Sequence, residues 1–410
     1  MKPLGSAPRL RLVWAIALLV GYLARPAARV RAATPPPLVP QVTIAFGDSV
    51  TILLPLADLG PVQRVEVYLR PEGSVDTYTA DMTLEEREAR YVHPVRTKPL
   101  PLFGRVFYWF KIYPAQGPAY QSPAFTFIYE DNRFAWQSRT VEPVSVHWYA
   151  GGADVAEMAL NAAHIALKNA FVQWQGRLDP ERPIRIYIYA SEQDLRSALE
   201  TLPPEMRGHE VYLAQHIVLV HSGLSPQARA ELQRQIAYQV AHIVLYDTVG
   251  DGYANLPWWL REGLGSLAGP QADTTDYQIL HTAAAANQLY PLQELCRAPE
   301  FETAEDEDLA RAEAGAFVAH LFARYGPAGL QRLLEVYASG LGCVDGFQAA
   351  LGARLTDLED DWRAAQGLFP QREIAPGWMG LWVTLWMILP VTILGLWYWR
   401  THRPDDDFKV

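Results

Sequence analysis

Among the ten histidines, two cysteines and many carboxylates of this 410-residue chain, one stretch sets side chains at a spacing suited to metal or acid–base chemistry. It runs Gln235-Ile236-Ala237-Tyr238-Gln239-Val240-Ala241-His242-Ile243-Val244-Leu245-Tyr246 and is followed by Leu256-Pro257-Trp258-Trp259-Leu260-Arg261-Glu262-Gly263-Leu264. Residues four apart share one helix face, so Tyr238 and His242 point the same way, with Gln239 beside the first. Of the polar side chains in these segments, His242 is an imidazole and Glu262 a carboxylate. The other two positions carry weaker chemistry. A phenol with a pKa near 10 is a poor ligand at neutral pH, and an amide cannot take a proton from water. Cys296 and Cys343 add no metal site, because the chain has no Cys-x-x-Cys and no Cys/His cluster. They are expected to form one Cys296–Cys343 disulfide, with two buried free thiols as the alternative.

The elements that must position these groups follow from periodicity. Ser225 is an N-cap with Pro226 at the first helical position, and Leu232, Ile236, Val240 and Ile243 line one face of the helix that follows. A second helix starts at Pro257 and turns Leu260, Leu264 and Leu267 inward. Upstream, Val155–Trp174 has helical spacing, and Ile184–Tyr189 and His216–Val220 read as strands. Downstream the chain is helical over Asp306–Tyr325 and Ala328–Ser339, and again after Thr356, which forms a capping box with Glu359.

Residues 41–129 have a different texture. Val65, Val67 and Leu69 alternate with Glu66, Tyr68 and Arg70, and Val106–Tyr113 and Ala124–Tyr129 are rich in aromatic and β-branched residues. About 90 residues of this kind without a helix predict a small, Ig-like β-sandwich. At the N-terminus, Lys2, Arg9 and Arg11 precede an apolar run of 13 residues, Leu12–Ala24, with Val30 and Ala32 placed as in a signal-peptidase site. That predicts a secretory signal over residues 1–32. At the other end Gly377–Trp399 is 23 residues without a formal charge, bracketed by Trp378, Trp382, Trp397, Tyr398 and Trp399 and followed by Arg400 and Arg403. This pattern predicts one transmembrane helix at 377–399, a linker at 367–376 and a cytoplasmic tail at 400–410. The expected location is thus a cell membrane, single-pass, with the ectodomain outside the cytoplasm. Hydrophobic residues make up 50% and charged residues 20%, which excludes a disordered chain, and the net charge of −10 lacks the basic surplus of a nucleic-acid binder.

The segments around Tyr238 and Glu262 resemble the peptidase MA-like family, gluzincin-type zinc metallopeptidases with a helical His-Glu-x-x-His and then Leu-Pro-x-Trp-Leu-x-Glu-Gly-Leu on the next helix. The likeness extends to Tyr129-Glu130-Asp131-Asn132-Arg133-Phe134-Ala135-Trp136, to Ile186–Tyr189 and to Phe317–Gly326. It implies an α+β zincin-like metallopeptidase domain over residues 141–366 with a helical C-terminal part. His242 then matches the second metal His and Glu262 the third ligand, while Tyr238 stands at the first ligand position and Gln239 at the general-base position. Arg311 also departs from the family, standing where a Tyr is expected. His209, His216 and His221 lie just upstream, but His209-Glu210 is half a motif, since Leu213 occupies the place of its second His. The resemblance therefore implies a pseudoprotease that acts by binding, with Trp258 and Trp259 near the rim of an aromatic groove and a peptide or protein as ligand. An active metallopeptidase with an atypical site, and a surface adhesin or structural protein, are the alternatives. Zinc is expected only under the first of these alternatives; the other expected partner is the membrane, through the C-terminal segment.

Overall fold

The computed structural model describes residues 38–208, 210–222, 225–269, 274–368 and 376–401. The predicted secretory signal, His209, linker residues 369–375 and tail residues 402–410 lie outside the described residues.

The first half is built from β1 (Gln41–Ala45), β2 (Ser49–Pro55), β3 (Val62–Pro71), β4 (Tyr78–Asp81), β5 (Thr83–Leu84), β6 (Glu88–Pro94), β7 (Arg105–Pro114), β8 (Tyr120–Gln121) and β9 (Phe125–Ile128). They form two antiparallel sheets, one in the order β1-β2-β6-β5 and one in the order β4-β3-β7-β8 with β9 also on β7. Strand alternation decides which side chains face inward. Val65, Val67 and Leu69 stand opposite Ile112, Phe110 and Tyr108 and are fully buried. They share one core with Val50, Ile52 and Leu54 of the other sheet.

A third sheet follows, β10 (Gln137–Val141), β11 (Val144–Trp148), β12 (Ile184–Tyr189) and β13 (Ile217–His221), in that order. β10 pairs antiparallel, and the other two neighbours pair parallel. The β-rich half docks on this sheet through Phe103, whose ring stacks on Tyr187 at 3.5 Å between centroids and whose carbonyl accepts from Arg185 at 2.9 Å. Asp131 closes the junction. Fully buried, it accepts from Arg133 Nε at 2.8 Å and Nη2 at 2.6 Å and from the Tyr189 hydroxyl at 3.1 Å.

The remainder is helical: α1 (Ala153–Trp174), α2 (Glu192–Leu199), the single turn α3 (Glu210–Leu213), α4 (Pro226–Val249), α5 (Trp258–Ala268), α6 (Thr274–Ala285), α7 (Ala304–Ala338), α8 (Cys343–Leu351), α9 (Leu355–Gln366) and α10 (Pro376–Thr401). The third sheet, α1 and α4 to α9 enclose a single large core. α4 begins as its sequence dictates, with the Ser225 hydroxyl accepting from Ala228 N at 3.1 Å and Pro226 in the first turn. α7 is broken at Gly326, where φ is +63°, a conformation open to glycine, and Pro327 restarts the helix. Cys296 and Cys343 are joined in a disulfide.

Two expectations are corrected. The capping box at Thr356 does not form, because α9 starts at Leu355 with Arg354 as N-cap. Glu359 instead accepts from Leu292 N at 3.3 Å and pairs with Arg363 at 2.6 Å. A capping box does form at Thr303 and Asp306, ahead of α7. The second correction concerns the transmembrane helix at 377–399. Among the described residues no helix is long and apolar enough to cross a membrane. The β-rich half followed by a helical half stands; the single-pass anchor, and the cell-membrane location drawn from it, do not.

Candidate functional site

α4 and α5 cross at the centre of the helical half and bring together the residues singled out by spacing. The apolar face of α4, with Leu232, Ile236, Val240 and Ile243 all buried, fixes the helix rotation, and Tyr238 and His242 then face α5. Gly265 lets the helices approach. A Cβ at that position would lie 2.8 Å from Tyr238 Cδ2 and 3.0 Å from His242 Nε2, so only glycine fits. Gly263 plays the same part toward α7, where a Cβ would meet Val318 Cγ2 at 2.3 Å.

The Tyr238 hydroxyl donates to Glu262 Oε2 at 2.7 Å, and Arg311 Nε approaches the same oxygen at 3.4 Å. Arg311 also pairs with Glu307 at 2.6 Å. Burial, then the charge and hydrogen bond of Glu262, push the Tyr238 phenol well above its ordinary value, so it keeps its proton at any physiological pH. His242, buried, lies against the Tyr238 ring at 4.4 Å between centroids, and its Nδ1 meets the Tyr253 hydroxyl at 2.6 Å.

Gln239 turns the other way. Its Nε2 donates to Leu219 O at 3.3 Å. Strand β13 is the last of its sheet, and the bonds Arg185 N to His216 O and Ser222 N to Tyr189 O show that its even-numbered residues face β12. Leu219 O therefore lies on the open edge, and the Gln239 amide covers it.

The zinc implied by the resemblance requires three donors with free lone pairs around one point. Here the phenol holds its proton and spends it on Glu262, the Glu262 oxygen is shared with Arg311, and the ring of Tyr238 fills the space beside His242. These residues do not fit the ion. Among the described residues no group of three His, Cys, Asp or Glu side chains converges. His216 is elsewhere, fully buried, with Nδ1 on Arg182 O at 2.6 Å and Nε2 on Asp247 Oδ1 at 3.0 Å.

Trp258 and Trp259, expected at a groove rim, are 7% and 0% exposed and belong to the core. Trp258 packs on Phe301, and Trp259 stacks on Phe347 and donates to Cys343 Sγ at 3.4 Å. Two residues escaped the sequence reading. Tyr253 lies on a 3₁₀ turn that carries no periodic signal, whereas Gly265 gave one, since a glycine inside a helix marks a close approach.

Comparison with known proteins places a family on part of this frame. Residues 175–366 match the family described as the peptidase MA superfamily. No curated protein matches the chain. Solved structures with partial likeness include a Br derivative of BhCBM56, 23% identical over 23% of this chain and 95% of that one with a TM-score of 0.20. A polysaccharide deacetylase from Bacillus cereus is 8% identical over 48% of this chain and 78% of its own, with a TM-score of 0.21.

Proposed function

We propose, from the premise that residues 175–366 form a peptidase MA superfamily domain, that this domain binds peptide or protein ligands without hydrolysing them. The observation that carries this reading is the 2.7 Å hydrogen bond from Tyr238 to Glu262. It joins the side chain at the first ligand position to the carboxylate at the third, so the two satisfy each other. Gln239 supports the same reading, because an amide bound to a strand-edge carbonyl is neither free to move nor basic enough to activate water. A net charge of −10 argues against nucleic acid as the ligand.

The test rebuilds what is missing. The unmodified chain should take up little zinc and cleave no unstructured protein substrate. Tyr238→His alone should gain metal without activity, and Tyr238→His with Gln239→Glu should bind about one Zn²⁺, with three ligands set on α4 and α5. Stoichiometric zinc and hydrolysis by the unmodified chain would overturn the reading in favour of an active peptidase.

A further inference from the structure

At the C-terminal end of α4 a cleft of about 290 Å³ is lined by Leu213, Tyr246, Gly250, Asp251, Tyr253 and Ala254. The proposed function makes no use of it. We propose that this cleft binds a small organic ammonium ion, a primary amine on a short aliphatic stem.

Four features point to that chemistry. Asp251 brings the only formal charge in the lining, and it is negative. The cleft lies at the carboxyl end of a 24-residue helix with no basic residue in its last turn, so the helix dipole presents negative potential to it. Tyr246 and Tyr253 contribute two rings, 5.8 Å apart, whose faces attract cations. The Tyr253 ring already shows this preference, with the guanidinium of Arg261 at 5.3 Å from its centre. Leu213 and Ala254 supply an apolar surface for a stem of a few carbons.

Two guanidinium groups stand nearby and reduce the attraction for a further cation. Arg177 satisfies one carbonyl at the same helix end, Thr248 O at 2.9 Å, and does not line the cleft. Arg261 likewise lies outside the lining. The volume is at the lower end for a ligand pocket, which sets the size of the occupant. The affinity expected is millimolar, because the carboxylate is exposed and screened by salt.

The experiment is a titration of the whole chain with n-butylammonium, followed by saturation-transfer NMR, beside 1-butanol as the neutral isostere and valerate as the anionic counterpart on the same butyl stem. Saturable binding of the amine at millimolar concentration, with alcohol and acid about tenfold weaker or more, is the expected result. Asp251→Asn should weaken the amine about five- to tenfold, and Tyr246→Leu should weaken it while Tyr246→Phe retains it. Asp251 is exposed, so its replacement leaves the fold intact, as circular dichroism would verify. Equal binding of amine and alcohol, indifference to Asp251→Asn, or no saturation at tens of millimolar would each overturn the proposal. None of these outcomes bears on zinc or hydrolysis, so this cleft and the Tyr238 site stand or fall separately.

Discussion

The β-rich half and the helical half bury different kinds of side chain. The interior between the first two sheets is apolar apart from His93 and Ser122, and backbone groups answer both: His93 Nε2 meets Lys98 O at 2.8 Å, and the Ser122 hydroxyl donates to Pro123 O at 2.7 Å. The helical half buries His216, His242, Glu262 and Glu313, and also holds the disulfide. One half is held by a force indifferent to redox state and, His93 apart, to protons; the other carries several groups whose charge and covalency depend on the solution. Reduction or a rise in pH should therefore act on the helical half and leave the sheets as they are, whereas acid reaches the sheets through His93, which burial lowers to about 4.

The largest effect should come from Glu313. It accepts from Tyr290 N at 3.0 Å, and burial pushes its carboxyl up to about 8, against the lesser pull of that bond and of Arg363. Between the ordinary value of 4.5 and about 8 the folded chain holds a proton that the unfolded chain has released. Stability from this group is thus greatest below the lower value and falls as pH rises to the upper one, by at most about 1.4 kcal/mol per pH unit. Glu313→Gln keeps the acceptor and removes the slope. Denaturation of variant and parent at pH 5 and pH 9 should show curves close at the lower pH and the variant clearly more stable at the higher. A parallel pair of pH profiles would show that Glu313 carries no such burden.

Loss of the disulfide comes next. Cysteines 47 positions apart constrain the unfolded chain by about 4 kcal/mol in the loop-entropy account. Cys296→Ser with Cys343→Ser should lower the melting transition of the helical half alone. If the melting of residues 41–129, followed by hydrogen exchange in their strands, shifts equally, the two halves unfold as one and the contrast between them fails.

The smallest effect expected is that of Tyr238→Phe. It removes a donor from a buried carboxylate while leaving Arg311 in place, a cost of about 1.5 kcal/mol. Chemical denaturation would measure it. No change in stability would mean that the bond between the two ligand positions is not holding them together.

The same contrast explains what could be read from sequence. Val65, Val67 and Leu69 announced their strand because alternation of apolar and polar residues has one meaning when the interior is uniformly apolar. Ser225-Pro226 announced the start of α4 because capping is decided within one turn. Glu359 misled, since its local pattern predicted a cap while a distant segment, through Leu292 N, offered a better use. The Cys296–Cys343 bridge was the sequence expectation and is present, although its geometry could not be checked in advance, as thiol geometry is not a property of spacing. At the site, sequence reasoning identified Tyr238, Gln239, His242 and Glu262 as a set. What it could not supply was the direction each side chain takes: Tyr238 toward Glu262, Gln239 toward the strand edge, Trp259 into the core beside the disulfide.

That disulfide turns part of a linear molecule into a closed ring. Everything from Cys296 to Cys343, including the whole of α7 with its break at Gly326, lies on the circumference, so there are two covalent routes between any two points of it. A single cut by a protease at any bond between residues 297 and 342 would sever the sequence without parting the pieces. Once denatured, such a nicked molecule would still travel as one species until a reductant opened the second route, and only then come apart in two.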